Sequence, residues 1–306
     1  MSSSPLQNVV SQAGSVILGK EHQIRLAVTC LLARGHLLIE DLPGVGKTTL
    51  SHVLARLLGL KFQRIQFTSD MLPADIIGVS VYDRESASFK FHPGPVFSQL
   101  ILADEVNRAT PKTQSALLEA MEEHQVTAEG ETRPLPEPFF VIATQNPSHQ
   151  VGTFPLPESQ LDRFLMRLEL GYPDRDAERA LLRGMDRRDM VTALPPALAP
   201  GQLMELQTKV KDVHASVALI DYIQALIEHT RRSPDYIHGL SPRAAIALLH
   251  SSRAWALLDG RESVVPEDVQ AVLPGVAGHR LRPAHDNSRK SSAEVAAELI
   301  RAVPIP

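Results

Sequence analysis

The chain has 306 residues, of which 43% are hydrophobic and 22% charged, and its formal net charge is −4. This composition is typical of a globular protein of about two domains, and the charge provides no general attraction to nucleic acid or to an anionic membrane. A single cysteine, Cys30, excludes a disulfide framework, and the absence of a signal-peptide pattern or an apolar run of roughly 20 residues predicts a cytoplasmic protein without a membrane segment.

The first half of the chain alternates helical and strand patterns. Apolar residues at three-to-four spacing predict a helix over 6–33, which Gly14 and Gly19 interrupt. Short apolar runs separated by helix-like segments predict buried strands, and this alternation is typical of a parallel sheet with helices on both faces. The predicted strands cover residues 37–40, 61–67, 98–103, 139–143 and 165–170, with helices at 50–58 and 113–123.

Two segments alternate in the manner of antiparallel hairpins, one within 79–91 and one within 125–135. Beyond Pro173 the strand pattern ends and helical periodicity continues. The sequence thus predicts an α/β fold: an αβα domain with a five-stranded parallel sheet over residues 1–172, followed by an all-α domain over 173–306. The helices predicted in the second domain cover 177–185, 200–210, 217–230, 241–258 and 266–272.

A phosphate-binding loop is predicted at residues 42–48, Leu-Pro-Gly-Val-Gly-Lys-Thr, directly after the strand 37–40 and before a helix. The glycines let backbone N–H groups turn around phosphate oxygens, and the helix N-terminus adds a partial positive charge. Lys47 would reach the β- and γ-phosphates of a nucleotide, and the Thr48 hydroxyl would bind Mg²⁺. The nucleotide-binding residues predicted here are Pro43, Gly44, Val45, Gly46, Lys47, Thr48 and Thr49.

Asp41 stands where the generic pattern Gly-x4-Gly-Lys-[Ser/Thr] has its first glycine. A carboxylate that points at phosphate groups would repel them. We therefore expect the Asp41 side chain to face away from the loop while its backbone makes the turn.

Two adjacent carboxylates, Asp104 and Glu105, end the predicted strand 98–103. Near a phosphate-binding loop, such a pair places one carboxylate beside Mg²⁺ and the other toward the attacking water. Asp104 is thus predicted to hold the metal together with Thr48, and Glu105 to polarise the water. The alternative is a pair of acidic residues that merely caps a strand and starts a turn.

Three further polar residues follow in positions suited to phosphoryl transfer. Asn146, after the strand 139–143, can orient the water against the γ-phosphate, although an Asn before Pro147 is also a common turn former. Arg163 precedes the last predicted strand, and Arg243 lies in the first turn of a helix of the second domain. An arginine aimed at the γ-phosphate neutralises charge that develops during transfer, whereas most of the chain's arginines are expected to be solvated.

Together these motifs resemble those of the MoxR family of AAA+ ATPases, in the branch with a helix-2 insertion and a pre-sensor hairpin. The resemblance runs from about residue 6 to 282 and covers most of the chain. It rests on the phosphate loop at 42–48, Leu-Ala-Asp-Glu-Val-Asn-Arg-Ala-Thr-Pro and its continuation at 102–123, Ala-Thr-Gln-Asn-Pro at 143–147, Gly-Thr-Phe-Pro-Leu-Pro-Glu-Ser-Gln-Leu-Asp-Arg-Phe at 152–164 and Ser-Pro-Arg at 241–243.

The resemblance implies a role for each matching residue. Arg163 matches the arginine finger, which in this family reaches the ATP of the neighbouring subunit in a homo-oligomer, most often a hexameric ring. Arg243 matches sensor 2 on the helical lid, and ATP is expected in the cleft between the two domains. The remaining matches are Lys47 and Thr48 in Walker A, Asp104 and Glu105 in Walker B, Asn146 in sensor 1, and Val16, Ile17 and Gly19 at the adenine.

By the same resemblance, residues 70–95 form the helix-2 insertion and 125–135 the pre-sensor hairpin. The implied function is ATP hydrolysis with Mg²⁺ that drives chaperone-like remodelling, assembly or activation of a partner protein complex. The implied partners are a von Willebrand A domain protein on a separate chain and client proteins. A magnesium-chelatase-like motor subunit and a nucleic-acid-stimulated motor are alternatives, whereas the complete catalytic set opposes a non-hydrolysing scaffold.

Two weaker patterns carry no site. The twelve histidines contain no His-x3-His pair, so they are expected at the surface or in the core rather than on a metal. Basic residues in 279–290 suggest nucleic-acid binding, but no aromatic residues interleave for base stacking, so a solvated tail of the second domain is favoured. Those basic residues are Arg280, Arg282, Arg289 and Lys290.

Overall fold

The computed structural model describes residues 4–146, 152–284 and 290–305. Pro147 of the predicted sensor motif and Arg289 lie outside these residues. The strands of the described residues are β1 (Leu37–Glu40), β2 (Phe62–Gln66), β3 (Gly78–Asp83), β4 (Ser88–Pro93), β5 (Leu100–Asp104), β6 (Gln125–Ala128), β7 (Glu131–Pro134), β8 (Phe140–Gln145) and β9 (Met166–Leu168).

Five of these strands form one parallel sheet, in the order β2-β5-β8-β1-β9. The other four pair as the antiparallel hairpins β3–β4 and β6–β7. The predicted five-stranded parallel sheet and the two hairpin segments are therefore confirmed.

Helices cover the sheet, and among the described residues after β9 the regular elements are helices. The predicted helix at 6–33 is two helices separated around Gly19, and α4, α6, α8 and α13 were not predicted. The helices are α1 (Pro5–Val16), α2 (Glu21–Leu32), α3 (Lys47–Leu57), α4 (Pro73–Ile77), α5 (Pro111–Glu123), α6 (Glu158–Leu161), α7 (Arg175–Arg183), α8 (Arg187–Ala193), α9 (Pro200–Asp212), α10 (Val217–Arg232), α11 (Pro242–Leu258), α12 (Pro266–Ala277) and α13 (Ser292–Ala302).

The sheet separates two apolar cores because side chains alternate between the faces of a strand. In β1, Leu37 and Ile39 belong to the core that α1, α2 and α3 cover, whereas Leu38 belongs to the core under α5. The first core continues into the lid helices, where Tyr222 and Leu248 are buried. The helical lid is thus packed against the αβα layer through shared apolar contacts, and the predicted boundary near residue 173 stays a prediction.

The segment after α12 is not a solvated tail, so that prediction was wrong for Arg280. The Arg280 side chain is 5% exposed and its Nε lies 2.6 Å from a carboxylate oxygen of Asp162. That partner is distant in sequence, which is why the local pattern of charges did not reveal it. Arg282 does remain exposed, and Cys30 is fully buried as predicted. No helix of the described residues is both long and apolar enough to cross a membrane.

His36 is a buried histidine directly before β1. Its Nδ1 accepts a hydrogen bond from the Val141 backbone N–H (3.0 Å), so its Nε2 carries the proton and donates to the Met121 carbonyl (3.1 Å). Burial lowers the pKa of His36 to about 4, an effect that the backbone bond to Met121 opposes and nearby His124 reinforces. The neutral imidazole therefore links β1, β8 and α5.

Stability is expected to fall as pH drops from about 6.5 to 4, because the unfolded chain then binds a proton that the folded His36 excludes. The slope from this one group is at most about 1.4 kcal/mol per pH unit. His36→Gln can keep one donor and one acceptor and should flatten the slope, measured by urea unfolding at pH 7.5 and 5. Burial also lowers the pKa of His279, which is left in place by the substitution, so some slope should remain in His36→Gln. Equal slopes for wild type and His36→Gln would contradict the assignment to His36.

Candidate active site

The loop that follows β1 has the backbone that a phosphate group requires. Gly44 (φ 84°) and Gly46 (φ 99°) adopt the left-handed region, and a Cβ on either would meet no protein atom within 4 Å. The helix α3 begins at Lys47, so the N–H groups of its first turn border the loop. Backbone donors and open space thus lie at the same point, as in a phosphate site.

Lys47 is buried beside this loop. Its Nζ donates to the Asp41 carbonyl (2.6 Å) and to Asn146 Oδ1 (3.3 Å). Burial lowers the pKa of Lys47, while the nearby carboxylates of Asp41, Asp104 and Glu105 oppose this shift. The ammonium group is held by neutral acceptors, which charged phosphate oxygens can replace with a stronger bond.

The Asp41 side chain faces away from the loop, as predicted. Its Oδ2 accepts a hydrogen bond from the Gly171 backbone N–H (2.6 Å) and its Oδ1 accepts one from Leu42 (2.7 Å). The carboxylate thus supports the turn and connects the loop to the segment that leaves the sheet after β9.

Asp104, at the end of β5, is buried between two neighbouring strands. Its Oδ1 accepts from the Thr144 hydroxyl (2.5 Å), and its Oδ2 accepts twice from the Arg64 guanidinium (2.6 and 3.1 Å). The Thr144 oxygen also accepts from the backbone N–H of Glu105 (2.9 Å). One hydroxyl on β8 therefore fixes both acidic residues.

The Glu105 carboxylate has three donors. Asn146 donates to Oε1 (3.0 Å), and Gln66 (3.1 Å) and Arg108 (3.0 Å) donate to Oε2. Glu105 itself has a φ of 56°, which turns the chain sharply after β5. The two groups predicted to handle the water, Glu105 and Asn146, are thus in direct contact.

Sequence reasoning missed Arg64, Gln66 and Thr144. Arg64 and Gln66 lie on the same face of β2, and Gln66 is opposite Asp104 in the parallel register. Polar residues in a predicted buried strand were the available signal. Their partners could not be named because the sequence does not reveal that β2 lies beside β5.

A cavity of about 300 Å³ lies at the carboxyl ends of the strands. Thr48 and Asp104 present a hydroxyl and a carboxylate oxygen there, the ligand type that Mg²⁺ prefers. The residues therefore fit a magnesium-bound triphosphate. The predicted residues that line the cavity are Pro43, Gly44, Gly46, Lys47, Thr48, Thr49, Asp104, Glu105 and Asn146.

A neighbouring cleft of about 470 Å³ has mainly apolar walls and suits a planar base. Gly19, predicted at the adenine, does not line it. A Cβ on Gly19 would lie 3.1 Å from the Ala177 Cβ, so this glycine instead permits the close approach of α7. Residues on the walls of the cleft include Val16, Ile17, Val45, Tyr172, Leu181 and Leu182.

Arg163 and Arg243 lie together, away from both spaces. Their guanidinium groups are 3.0 and 2.6 Å from the Glu122 carboxylate at the end of α5. Glu122 is at the amino edge of the sheet, because the adjacent Met121 carbonyl accepts from His36, the residue before β1. The phosphate loop follows the other end of β1, about 13 Å away for a strand of this length. Arg243, expected beside ATP between the domains, is therefore at the opposite edge.

The phosphate loop, buried lysine, strand-end carboxylates and sensor amide define a P-loop nucleoside triphosphatase. Residues 36–166 match the ATPase family associated with various cellular activities (AAA), and residues 228–299 match the AAA lid domain. The chain is 43% identical to Bacillus subtilis YeaC, over 98% of this chain and 95% of that protein. It is 39% identical to Chaperone MoxR1 of Mycobacterium tuberculosis, over 92% of this chain and 76% of that protein.

A crystal structure of a candidate ATPase from Cytophaga hutchinsonii has the same fold. The TM-score is 0.90 at 36% identity, over 99% of this chain and 95% of that one. The chain belongs to the MoxR family of AAA+ ATPases, as its motifs indicated. The expected activity, ATP hydrolysis, and the expected helical lid are those of the family.

Thr144→Val removes the hydroxyl that bridges Asp104 and Glu105 while it keeps the shape of the side chain. The buried Asp104 carboxylate and the half-buried Glu105 N–H then lose a partner, which costs about 1–3 kcal/mol of stability. We expect ATP turnover to fall at least about tenfold, since about 1.4 kcal/mol of lost orientation has that effect. Thr144→Ser keeps the hydroxyl and is the matched control in the same steady-state assay. Equal turnover of the two variants would contradict this role.

Proposed function

We propose that the protein hydrolyses ATP with Mg²⁺ in a homo-oligomeric ring, most simply a hexamer, in which Arg163 and Arg243 of one subunit complete the site of the next. The supporting observation is the location of both arginines at the amino edge of the sheet, opposite their own phosphate loop. An arginine side chain does not span a strand of about 13 Å. A second subunit is therefore required for either arginine to reach ATP.

Within one subunit, each polar residue at the carboxyl ends of the sheet strands has a separate proposed role. Lys47 and the loop N–H groups bind the β- and γ-phosphates, and Thr48 and Asp104 hold the metal. Glu105, oriented by Asn146, polarises the water for in-line attack. Bound Mg²⁺ supplies neutralisation of charge on the phosphate oxygens.

Arg163 and Arg243 contact the same carboxylate, so both can also contact the same phosphate group. Both guanidinium groups converge on Glu122, and a phosphoryl group offers the same kind of acceptor with more charge. The side chains are 31% and 51% exposed, so a neighbouring subunit can contact both. Two converging arginines stabilise the charge that develops on the γ-phosphate during transfer.

Hydrolysis is proposed to drive chaperone-like remodelling of client complexes in the cytoplasm, together with a von Willebrand A domain protein. Support comes from the relative named Chaperone MoxR1 and from the β3–β4 hairpin within the proposed helix-2 insertion, 70–95. Tyr82 and Phe89 at the hairpin are 52% and 73% exposed, an apolar surface that a protein partner can cover. The hairpin contacts the proposed pre-sensor hairpin, since the Arg133 guanidinium lies 3.9 Å from the Phe91 ring centre.

Arg163→Ala is expected to bind ATP with unchanged affinity and to lose turnover by roughly 10³-fold or more, the usual contribution of an arginine finger. Nucleotide binding is measured by calorimetry and turnover by phosphate release. Mixed with Lys47→Ala, which lacks the phosphate ligand but keeps its arginines, Arg163→Ala should regain activity. Full turnover by Arg163→Ala alone, or by a stable monomer, would overturn the assignment.

Glu105→Gln is expected to bind ATP without hydrolysing it, because the amide cannot polarise the water. The resulting stable complex is suited to affinity capture, with the exposed Glu205→Gln as matched control. Enrichment of a von Willebrand A domain protein by Glu105→Gln supports the proposed partner. If the wild-type ATPase is instead stimulated by DNA or RNA and by no co-purifying protein, a nucleic-acid motor replaces the chaperone proposal.

A further inference from the structure

Arg280, which follows α12, uses every donor of its guanidinium group on one short segment and on the last turn of α12. Nε donates to Asp162 Oδ1 (2.6 Å), and Nη2 donates to the carbonyls of Asp162 (3.1 Å) and Phe164 (2.7 Å). Nη1 donates to the carbonyls of Leu165 (3.1 Å) and Val276 (2.6 Å). These five bonds match the five N–H groups of an arginine, so its hydrogen-bonding capacity is full.

Four of the five bonds hold the segment 162–165, which carries Arg163. The bonded carbonyls belong to residues on either side of Arg163, so the backbone that directs this side chain is restrained on both flanks. The other arginine of the pair is anchored to the same point, since Arg243 Nη1 lies 4.0 Å from Asp162 Oδ2.

We propose that Arg280 is a positioning residue, which fixes the segment 162–165 against the lid so that Arg163 and Arg243 meet the ATP of the neighbouring subunit in the required geometry. The inference rests on the proposed function in trans. Arg280 itself touches neither the phosphate loop nor its cavity. Its effect therefore reaches catalysis only through the two arginines.

The contacts of Arg280 are better suited to fixing the positions of backbone groups than to filling space in the core. A charged side chain that is 5% exposed pays a desolvation cost of several kcal/mol, and an apolar residue of similar volume fills such a space without it. A planar fork with fixed donor directions instead specifies the positions of several carbonyls at once. An error of about 1 Å in the position of a catalytic group lowers rates by roughly 10²-fold.

The test is Arg280→Lys, which keeps the positive charge beside Asp162 and loses the fork. We expect kcat to fall by roughly 10²-fold with unchanged KM, unchanged nucleotide affinity and unchanged ring formation by light scattering. Arg282→Lys, at a largely exposed arginine two residues on, is the matched control and should behave as wild type. A rise in KM or a loss of nucleotide affinity by Arg280→Lys would overturn the proposal.

Mixing experiments separate positioning in trans from damage to the subunit itself. Arg280→Lys has an intact phosphate loop and should regain turnover when mixed with Lys47→Ala, whose arginines are intact. If Arg163→Ala is rescued by Lys47→Ala but Arg280→Lys is not, Arg280 does not act through Arg163 and the proposal fails. If neither mixture recovers, the proposed function in trans fails instead. If Arg280→Lys does not assemble, Asp162→Asn replaces it in the mixing experiment. Rescue of Asp162→Asn by Lys47→Ala is then expected, and failure of that rescue alone would overturn the proposal.

Discussion

The common direction of the five sheet strands is the constraint on which the rest of the molecule depends. Parallel strands bring all their carboxyl ends to one edge, and so collect the phosphate loop, Asp104, Glu105 and Asn146 there. The same rule sends residues that precede a strand to the other edge, where Arg163 lies before β9. Arg163 is therefore separated from the residues of the cavity by the length of a strand. Under the proposed function, this separation makes a second subunit necessary for hydrolysis.

Two kinds of ion pair lie at the amino edge of the sheet, and their burial distinguishes them. In the Arg243–Glu122 pair both side chains are partly exposed, and such pairs contribute about 0–1 kcal/mol. In the proposed ring, such a pair can exchange partners at low cost when the nucleotide of a neighbouring subunit arrives. The Arg280–Asp162 pair is buried on the arginine side, and breaking a buried pair costs about 3–5 kcal/mol. Under the proposed function, Arg163 and Arg243 change partners, whereas the Arg280–Asp162 pair that supports their segment does not.

The sequence revealed those features that are encoded locally. The glycines and Lys47 of the loop are contiguous, and the strand-end positions of Asp104 and Asn146 follow from short apolar runs. Features that depend on contacts between distant segments were missed or misjudged. Arg64 needs the strand order, Gly19 needs the position of α7, and Arg280 needs the fold of the lid onto residues 162–165. Charge patterns along the chain do not distinguish a solvated arginine from one that is buried across a domain contact.

The departure from the generic loop pattern at Asp41 has a mechanical consequence. Its carboxylate is bonded to the backbone of Gly171 at 2.6 Å, and the chain continues from there through Tyr172 to α7, one wall of the base cleft. A hydrogen bond of this length is lost when its atoms separate by about 1 Å. A loop that shifts around a triphosphate must therefore either break this bond or pull the segment between Gly171 and α7 with it. Asp41, which replaces a glycine of the generic pattern, thus couples movement of the phosphate loop to movement of the segment that leads to α7.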